Sequence, residues 1–213
     1  YWPSVFSRKV WEYKVELAKE AVNLFGFNEI QYDYVRFPET APWLSNEELK
    51  NKYNETKSQG IQNFLIYAVD ELHQLGVYVS ADVFGESSAS YIPGYGQYWA
   101  SISNVVDAIS SMPYTDHFGS NYDTWTNPYN VMYNWASSAA ARQKETTSPA
   151  IARTWVTAYN VPYWNPTVNC DINYIKLQMK ALTDNNLNGG VMTWNAWGAA
   201  SKLAKYREIV GAF

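Results

Sequence analysis

The sequence predicts an α/β fold of the (β/α)8 TIM-barrel type, with only about the last five β/α units contained in its 213 residues. Three observations carry that expectation. Short β-rich runs alternate with amphipathic helical stretches along the whole chain, the pattern of a parallel sheet with helices outside it. Polar and ionisable residues gather where those runs end, which is where barrels and open α/β sheets both keep their sites. No G-x-G-x-x-G or G-x-x-x-x-G-K-[ST] turn follows any run, which favours a barrel over the nucleotide-binding sheets. Five units cannot close a barrel of eight. The first three, a missing N-terminal barrel segment, are therefore expected upstream in a longer parent chain. The opening at Tyr1, with no initiator Met and no targeting run, fits a processed or excised piece.

The elements follow in order. Val10, Lys14, Leu17, Ala18, Ala21 and Phe25 recur at mostly helical spacing, with Ser7 as N-cap and Gly26 as stop. Asn28 to Pro38 (N-E-I-Q-Y-D-Y-V-R-F-P) reads as a strand over about 29–36 that ends at a proline. Gln31, Asp33 and Val35 share one of its faces. A polar loop from Glu39 to Leu44 leads into a helical stretch from about Asn46 to Leu75. Its charged front half is exposed, and its back half (Ile61, Phe64, Leu65, Ala68, Leu72) carries the buried stripe. Gly76 stops it.

Val77 to Glu86 (V-Y-V-S-A-D-V-F-G-E) repeats the design, with a strand over 77–83 and Asp82 near its end. A loop with Pro93 and several glycines reaches a short helix near Tyr98. A third strand, 105–112, delivers Tyr114 and His117 to a loop. Asn127-Pro128 opens a helix that runs to Lys144. A fourth strand, 150–156, bears Arg153 and Trp155, and a helix spans Asp171 to Asn185. The fifth strand, 190–194, ends at Trp194 and Asn195, before a closing helix through Leu203 and Ile209.

Composition bounds the function. The length suits one domain, 1–213, with a sizeable core. The chain is 47% hydrophobic without any apolar run near ~18 residues, so no membrane span is expected. A net charge of -4 and a pI near 5.2 argue against nucleic acid, which needs a basic face. Two histidines beside one cysteine are too few for a zinc site, and neither metal nor cofactor is expected. Cys170 reads as a small buried hydrophobe.

Ten Trp and 18 Tyr exceed what a core of this size needs. Many fall in loops: Tyr91, Tyr95, Tyr98, Trp99, Tyr122, Trp125, Tyr129, Tyr159, Tyr163 and Trp164. Flat apolar faces with polar tips suit a carbohydrate substrate. Packing of loops onto the barrel rim accounts for the others.

Were a carbohydrate substrate hydrolysed, two carboxyl groups would have to flank the scissile bond. Asp33 and Asp82, near the ends of consecutive parallel strands, would face one mouth. Strands lie ~4.8 Å apart, so the carboxylates would stand ~5–9 Å apart. That span covers both retaining (~5–5.5 Å) and inverting (~6.5–9.5 Å) geometries. Asp33 is assigned as nucleophile or base, because Arg36 beside it favours the ionised form. The acid is Asp82 or Glu86, the latter with the longer reach. The structural alternatives are an Asp33–Arg36 ion pair, an Asp82 cap on the next loop and a solvated Glu86.

Gln31 shares the face of Asp33. His117 suits a sugar hydroxyl or a proton shuttle, and Arg153 a rim carboxylate or the substrate. Tyr114, Trp155, Trp194 and Asn195 offer stacking faces and a hydroxyl contact. A non-catalytic carbohydrate-binding or scaffold domain on the same fold is the alternative reading, and it has no need of the carboxylates as a pair.

N-E-I-Q-Y-D-Y-V-R-F-P resembles the F-D-E-I-Q-F-D-Y-V-R-F-P signature of the putative glycosyl hydrolase domain family, within the (β/α)8-barrel glycosidases. The family's second signature, V-S-A-D-V-F-G, stands unchanged at Val79 to Gly85. The preceding helix, K-V-W-E-Y-K-V-E-L-A-K-E-A, is similar too. Gly96-Gln97 falls at the family's I-G-Q step, and Met112 to Phe118 stands where it reads Y-P-S-H-Y. Ala152 to Tyr159 resembles its R-P-W-L-Q strand, with Arg153 and Trp155 kept and Thr154 in place of the proline. Gln178 and Trp194-Asn195 match its closing Q and W-N. The match is loosest from Tyr114 to Pro166. The resemblance implies strands four to eight of a glycosidase barrel acting on an oligo- or polysaccharide, in an extracellular or cell-surface setting.

Overall fold

The structure, a computed structural model, describes residues 2–40, 43–45, 47, 49–117, 125–160 and 168–195. The chain forms two compact units, residues 1–110 with 142–151 and residues 111–141 with 152–213. The expected closing helix, and Tyr122, Tyr163 and Trp164, lie outside the described residues.

In the first unit, α1 (Arg8–Phe25) buries Trp11, Val15 and Ala18, which share one helix face. It stops at Gly26, whose φ of 69° is the left-handed conformation that glycine enters freely, with its N–H returned to the Val22 carbonyl. β1 (Glu29–Tyr32) pairs in parallel with β2 (Tyr78–Phe84), from Glu29 opposite Tyr78 to Tyr32 opposite Ala81. The strand expected over 29–36 is thus cut short. Tyr34 turns to a φ of 56°, off the extended path, at a cost of ~1–2 kcal/mol for a residue with a Cβ.

α2 (Lys57–His73) starts well after Asn46 because a capping box fixes its first turn. The Thr56 hydroxyl accepts from the Gln59 N–H, and the Gln59 side chain accepts from the Thr56 N–H. The charged segment before it forms turns held by Arg8. That guanidinium donates to both oxygens of Glu55 at 2.8 and 2.5 Å. It lies over the rings of Trp11 and Tyr53, 3.8 and 3.5 Å from their centroids. α2 buries Ile61, Phe64, Leu65, Ala68 and Leu72 on the expected stripe.

After β2 come α3 (Trp99–Ser103) and β3 (Ala108–Met112), which begins later than the expected 105. α4 (Pro128–Lys144) and β4 (Ile151–Ala152) complete a sheet in the order β1-β2-β3-β4, with the unit boundary falling inside β3, α4 and β4. Gln143 accepts from the Trp99 indole and the Ser103 hydroxyl and donates to the Ala150 carbonyl. The far edge of β1 carries no strand partner among the described residues.

In the second unit, β5 (Thr154–Thr157) pairs in parallel with β6 (Val191–Trp194). The single strand expected over 150–156 is therefore two, which part at Arg153 and join different sheets. α5 (Ile172–Asp184) is capped by Asp171, which accepts from the Tyr174 N–H. Fully buried Gln178 donates to the Thr157 carbonyl and accepts from the Thr157 N–H. Cys170 packs buried with Tyr159, Val168 and Tyr174, as a small hydrophobe would. Among the described residues no helix is long and apolar enough to cross a membrane.

Two stability predictions follow from the first unit. Gly96 holds a φ of 87°, and a Cβ there would stand 2.8 Å from Lys57 Cβ and 3.3 Å from the Lys57 carbonyl carbon. Gly96→Ala is expected to lower unfolding stability by about 2–4 kcal/mol in urea titrations. The second concerns acid. The Arg8 hydrogen bond holds the Glu55 carboxyl below its ordinary value of 4.5. A depressed folded-state value adds stability above the unfolded value that is lost as the pH falls through the folded one. The stability difference between wild type and Glu55→Gln, about 1.5–3 kcal/mol at pH 7, should shrink below about pH 4.5. A difference constant with pH would count against this pairing.

Candidate active site

The β1–β2 register sets the geometry of the first unit. Tyr32 pairs with Ala81, so Asp33 and Asp82 each follow the last registered pair at the C-terminal ends of adjacent parallel strands. The two-residue repeat puts Glu29 and Gln31 of β1 on one face with Ser80 and Asp82 of β2. There the Ser80 hydroxyl donates to Glu29 at 2.6 Å, and the Gln31 amide donates to Asp82 Oδ1 at 2.6 Å. Asp82 is buried, at 5% exposure. Asp33 is exposed, and its carboxylate accepts the Tyr34 N–H at 2.7 Å.

Arg36 does not pair with Asp33 as the sequence suggested. The left-handed turn at Tyr34 redirects the chain, and the buried guanidinium donates to the Phe37 carbonyl at 3.1 Å. Its ion-pair partner is Glu39 at 3.6 Å. It also lies over the rings of Phe84 and Trp2, 4.6 and 4.9 Å from their centroids. A pocket of about 200 Å³ opens beside this loop, lined by Gln31, Asp33, Arg36, Trp2, Trp11 and Lys14 among others.

Glu86 sits in a 3-10 turn, Gly85–Ser88, directly after β2 and is exposed. Its carboxylate accepts the Tyr91 hydroxyl at 2.7 Å on one oxygen and the Tyr95 hydroxyl at 3.1 Å on the other. Burial first, then the Glu86 charge, pushes the Tyr95 phenol above the tyrosine range. The hydrogen bond to Glu86 raises Tyr91. Both phenols therefore stay protonated donors at ordinary pH.

Gln97, almost fully buried, ties these segments together. Its amide nitrogen donates to the carbonyls of Val35 (3.0 Å) and Asp82 (3.2 Å), and its oxygen accepts the Phe84 N–H at 2.9 Å. Sequence reasoning missed this role and the phenols on Glu86; the Gly96-Gln97 step was the one available signal.

In the second unit the rings converge. Tyr114 stacks on Trp194, with centroids 6.3 Å apart and planes at 25°. Trp155 meets Trp194 edge-on at 6.0 Å, and the exposed His117 meets Tyr114 edge-on at 5.4 Å. The Tyr159 hydroxyl donates to Asp116 at 2.7 Å. Tyr114, His117, Trp155 and Trp194 thus come together. Arg153 falls in the gap between β4 and β5, and Asn195 follows β6. Among the described residues no group of three His, Cys, Asp or Glu could hold a metal ion.

The sequence profile of the family described as "Putative glycosyl hydrolase domain" matches residues 1–201. No curated protein matches the sequence. Among solved structures, a class V chitinase from Pseudomonas fluorescens is similar at a TM-score of 0.65 and 14% identity, over 97% of this chain and 74% of that one. The spore cortex-lytic enzyme SleL of Bacillus cereus gives 0.62 and 12%, over 98% and 55%. The PgaB glycoside hydrolase domain from Bordetella bronchiseptica gives 0.59 and 13%, over 90% and 58%. At these identities the likeness is one of fold, that of (β/α)8 glycoside hydrolases. The chain spans little more than half the length of the last two, as a partial barrel does.

Proposed function

Since the chain belongs to the putative glycosyl hydrolase domain family, we propose that it hydrolyses an oligo- or polysaccharide with carboxyl groups at the C-terminal ends of β1 and β2. The observation that carries this reading is the register. Asp33 and Asp82 issue from the same level of two adjacent parallel strands, and Glu86 follows one turn later. Strands ~4.8 Å apart would let carboxyl groups at such positions reach the separations that glycoside hydrolysis uses.

Asp33 is exposed and held by the Tyr34 N–H, which suits the nucleophile or the base that activates water. Asp82 or Glu86 gives its proton to the glycosidic oxygen as the C–O bond breaks. The leaving alcohol takes the bonding electrons, and the anomeric carbon takes the Asp33 oxygen or a water oxygen. Within the second unit, Trp194 is 42% exposed, a ring that a sugar could stack on. Polymers of this kind are met outside the cell or at its surface, which is the setting we assign.

The test uses the parent-length protein and a panel of polysaccharides and oligosaccharides that includes chitin fragments, since a chitinase shares the fold. Asp33→Asn and the variant that removes the acid, Asp82→Asn or, if Asp82 is structural, Glu86→Gln, should each lower release of reducing ends by about 10²–10⁴-fold while glycan binding survives. If both variants keep wild-type turnover, the carboxylate assignment fails. A wild type that binds glycans but cleaves none would instead be a carbohydrate-binding domain on the same fold.

A further inference from the structure

We propose that Glu86 is a specificity residue of this site, and that the saccharide it selects carries a protonated amine. The proposal rests on the reading above that the ligand is a saccharide, and it names the class. The Glu86 carboxyl accepts the Tyr91 hydroxyl at 2.7 Å on one oxygen and the Tyr95 hydroxyl at 3.1 Å on the other. An exposed carboxylate is ionised at neutral pH, and a donor on each oxygen matches that acceptor-only form. So held, Glu86 has no proton to deliver, which leaves the acid's part to Asp82.

The two phenols bring no positive charge. Elsewhere in the first unit Glu55, Glu71 and Glu39 are paired with Arg8, Lys19 and Arg36. Glu86 has no such ion pair among the described residues, where the two tyrosines are its side-chain partners. Arg36, the cation of the neighbouring loop, is buried and committed to Glu39 and the Phe37 carbonyl. The negative charge of Glu86 is therefore held in place and left uncompensated.

The carboxylate is also preorganised. It stands in the Gly85–Ser88 turn, where the Glu86 carbonyl accepts the Ala89 N–H and the Ser88 hydroxyl donates to the Gly85 carbonyl, both at 2.9 Å. The Tyr95 ring that holds it is 8% exposed and edge-on to Phe84 at 5.0 Å. A carboxylate offers about four lone-pair positions, so two phenols leave it able to accept a further donor. Tyr91, 58% exposed, puts an open aromatic ring next to the charge. An ammonium group has three N–H donors and a positive charge, and it gains from both the carboxylate and the ring. A neutral sugar hydroxyl gains only a hydrogen bond that water supplies as well. Asp33 and Asp82 at the adjoining strand ends add to a field that favours a cationic sugar.

The experiment measures binding of three trisaccharides to the parent-length protein by calorimetry. They are chitotriose with free amines, its N-acetylated form and cellotriose, which carry an amine, an amide and a hydroxyl at the same carbon. At about pH 6, where such amines are charged, the amine form should bind about 3–10-fold more tightly than the other two. Glu86→Gln keeps the size of the side chain and should abolish that preference while affecting cellotriose far less. Glu20→Gln removes one charge from an exposed position on α1 and should leave the preference intact. A second measurement needs no variant: salt at about 1 M should shrink the wild-type preference. Equal affinity for the three sugars, or a preference that survives Glu86→Gln, overturns the proposal. So does an equal fall in Glu20→Gln, the mark of general attraction to an acidic protein, or an equal loss of cellotriose in Glu86→Gln, the mark of a hydroxyl contact. Binding is read apart from turnover. Amine binding through Glu86 with no glycoside cleaved sinks the glycosidase reading alone, and cleavage with no amine preference sinks this proposal alone.

Discussion

A buried primary amide offers two donors and a two-lone-pair acceptor, and Gln97 directs three hydrogen bonds at the backbone around the candidate carboxylates. The reason lies in β1. That strand stops at Tyr32, so the residues after it leave the ladder while still close to β2. Their backbone groups need partners if they are to stay ordered. Gln97 takes the Val35 carbonyl and the Tyr95 carbonyl takes the Phe37 N–H. The segment Tyr95–Gln97 therefore stands in for the missing rungs and holds the backbone of Val35, Phe37, Asp82 and Phe84 around the candidate carboxylates.

Several aromatic residues of the first unit serve charges. Trp11 and Tyr53 flank Arg8, Trp2 and Phe84 flank Arg36, and Tyr91 and Tyr95 hold Glu86. Guanidinium groups gain from aromatic faces when partly removed from water, and a phenol satisfies a carboxylate without bringing a counter-charge. The high Tyr and Trp content, read from composition as sugar affinity and rim packing, has this third use in the first unit. In the second unit Trp194 is 42% exposed and stacks on the buried Tyr114.

Helices and the strand-end position of the carboxylates were legible because their causes are local. Gly26 ends α1, and the buried stripe of α2 lies where its spacing put it. The T-x-x-Q capping box at Thr56 is a local signal as well, but the charged run before it masked the true start of the helix. Strand ends were not legible. Nothing in an aromatic residue announces the left-handed φ of Tyr34, and that one torsion ended β1 early and turned Arg36 from Asp33 to Glu39. The division of 150–156 between two sheets and the phenols on Glu86 both depend on contacts between residues far apart or in loops, where no sequence period operates.

The β1–β2 register also has a consequence for the order of assembly. Glu29 and Tyr78 lie some fifty residues apart in sequence, so the pairing must close a long loop before it gains a rung. Helices such as α1 and α2 need only local contacts and form faster. The level that brings Asp33 beside Asp82 is thus reached late, after the helices that flank it. A partly folded chain can be rich in helix before the ends of β1 and β2 meet, so formation of the candidate site is a separate event from acquisition of helical structure.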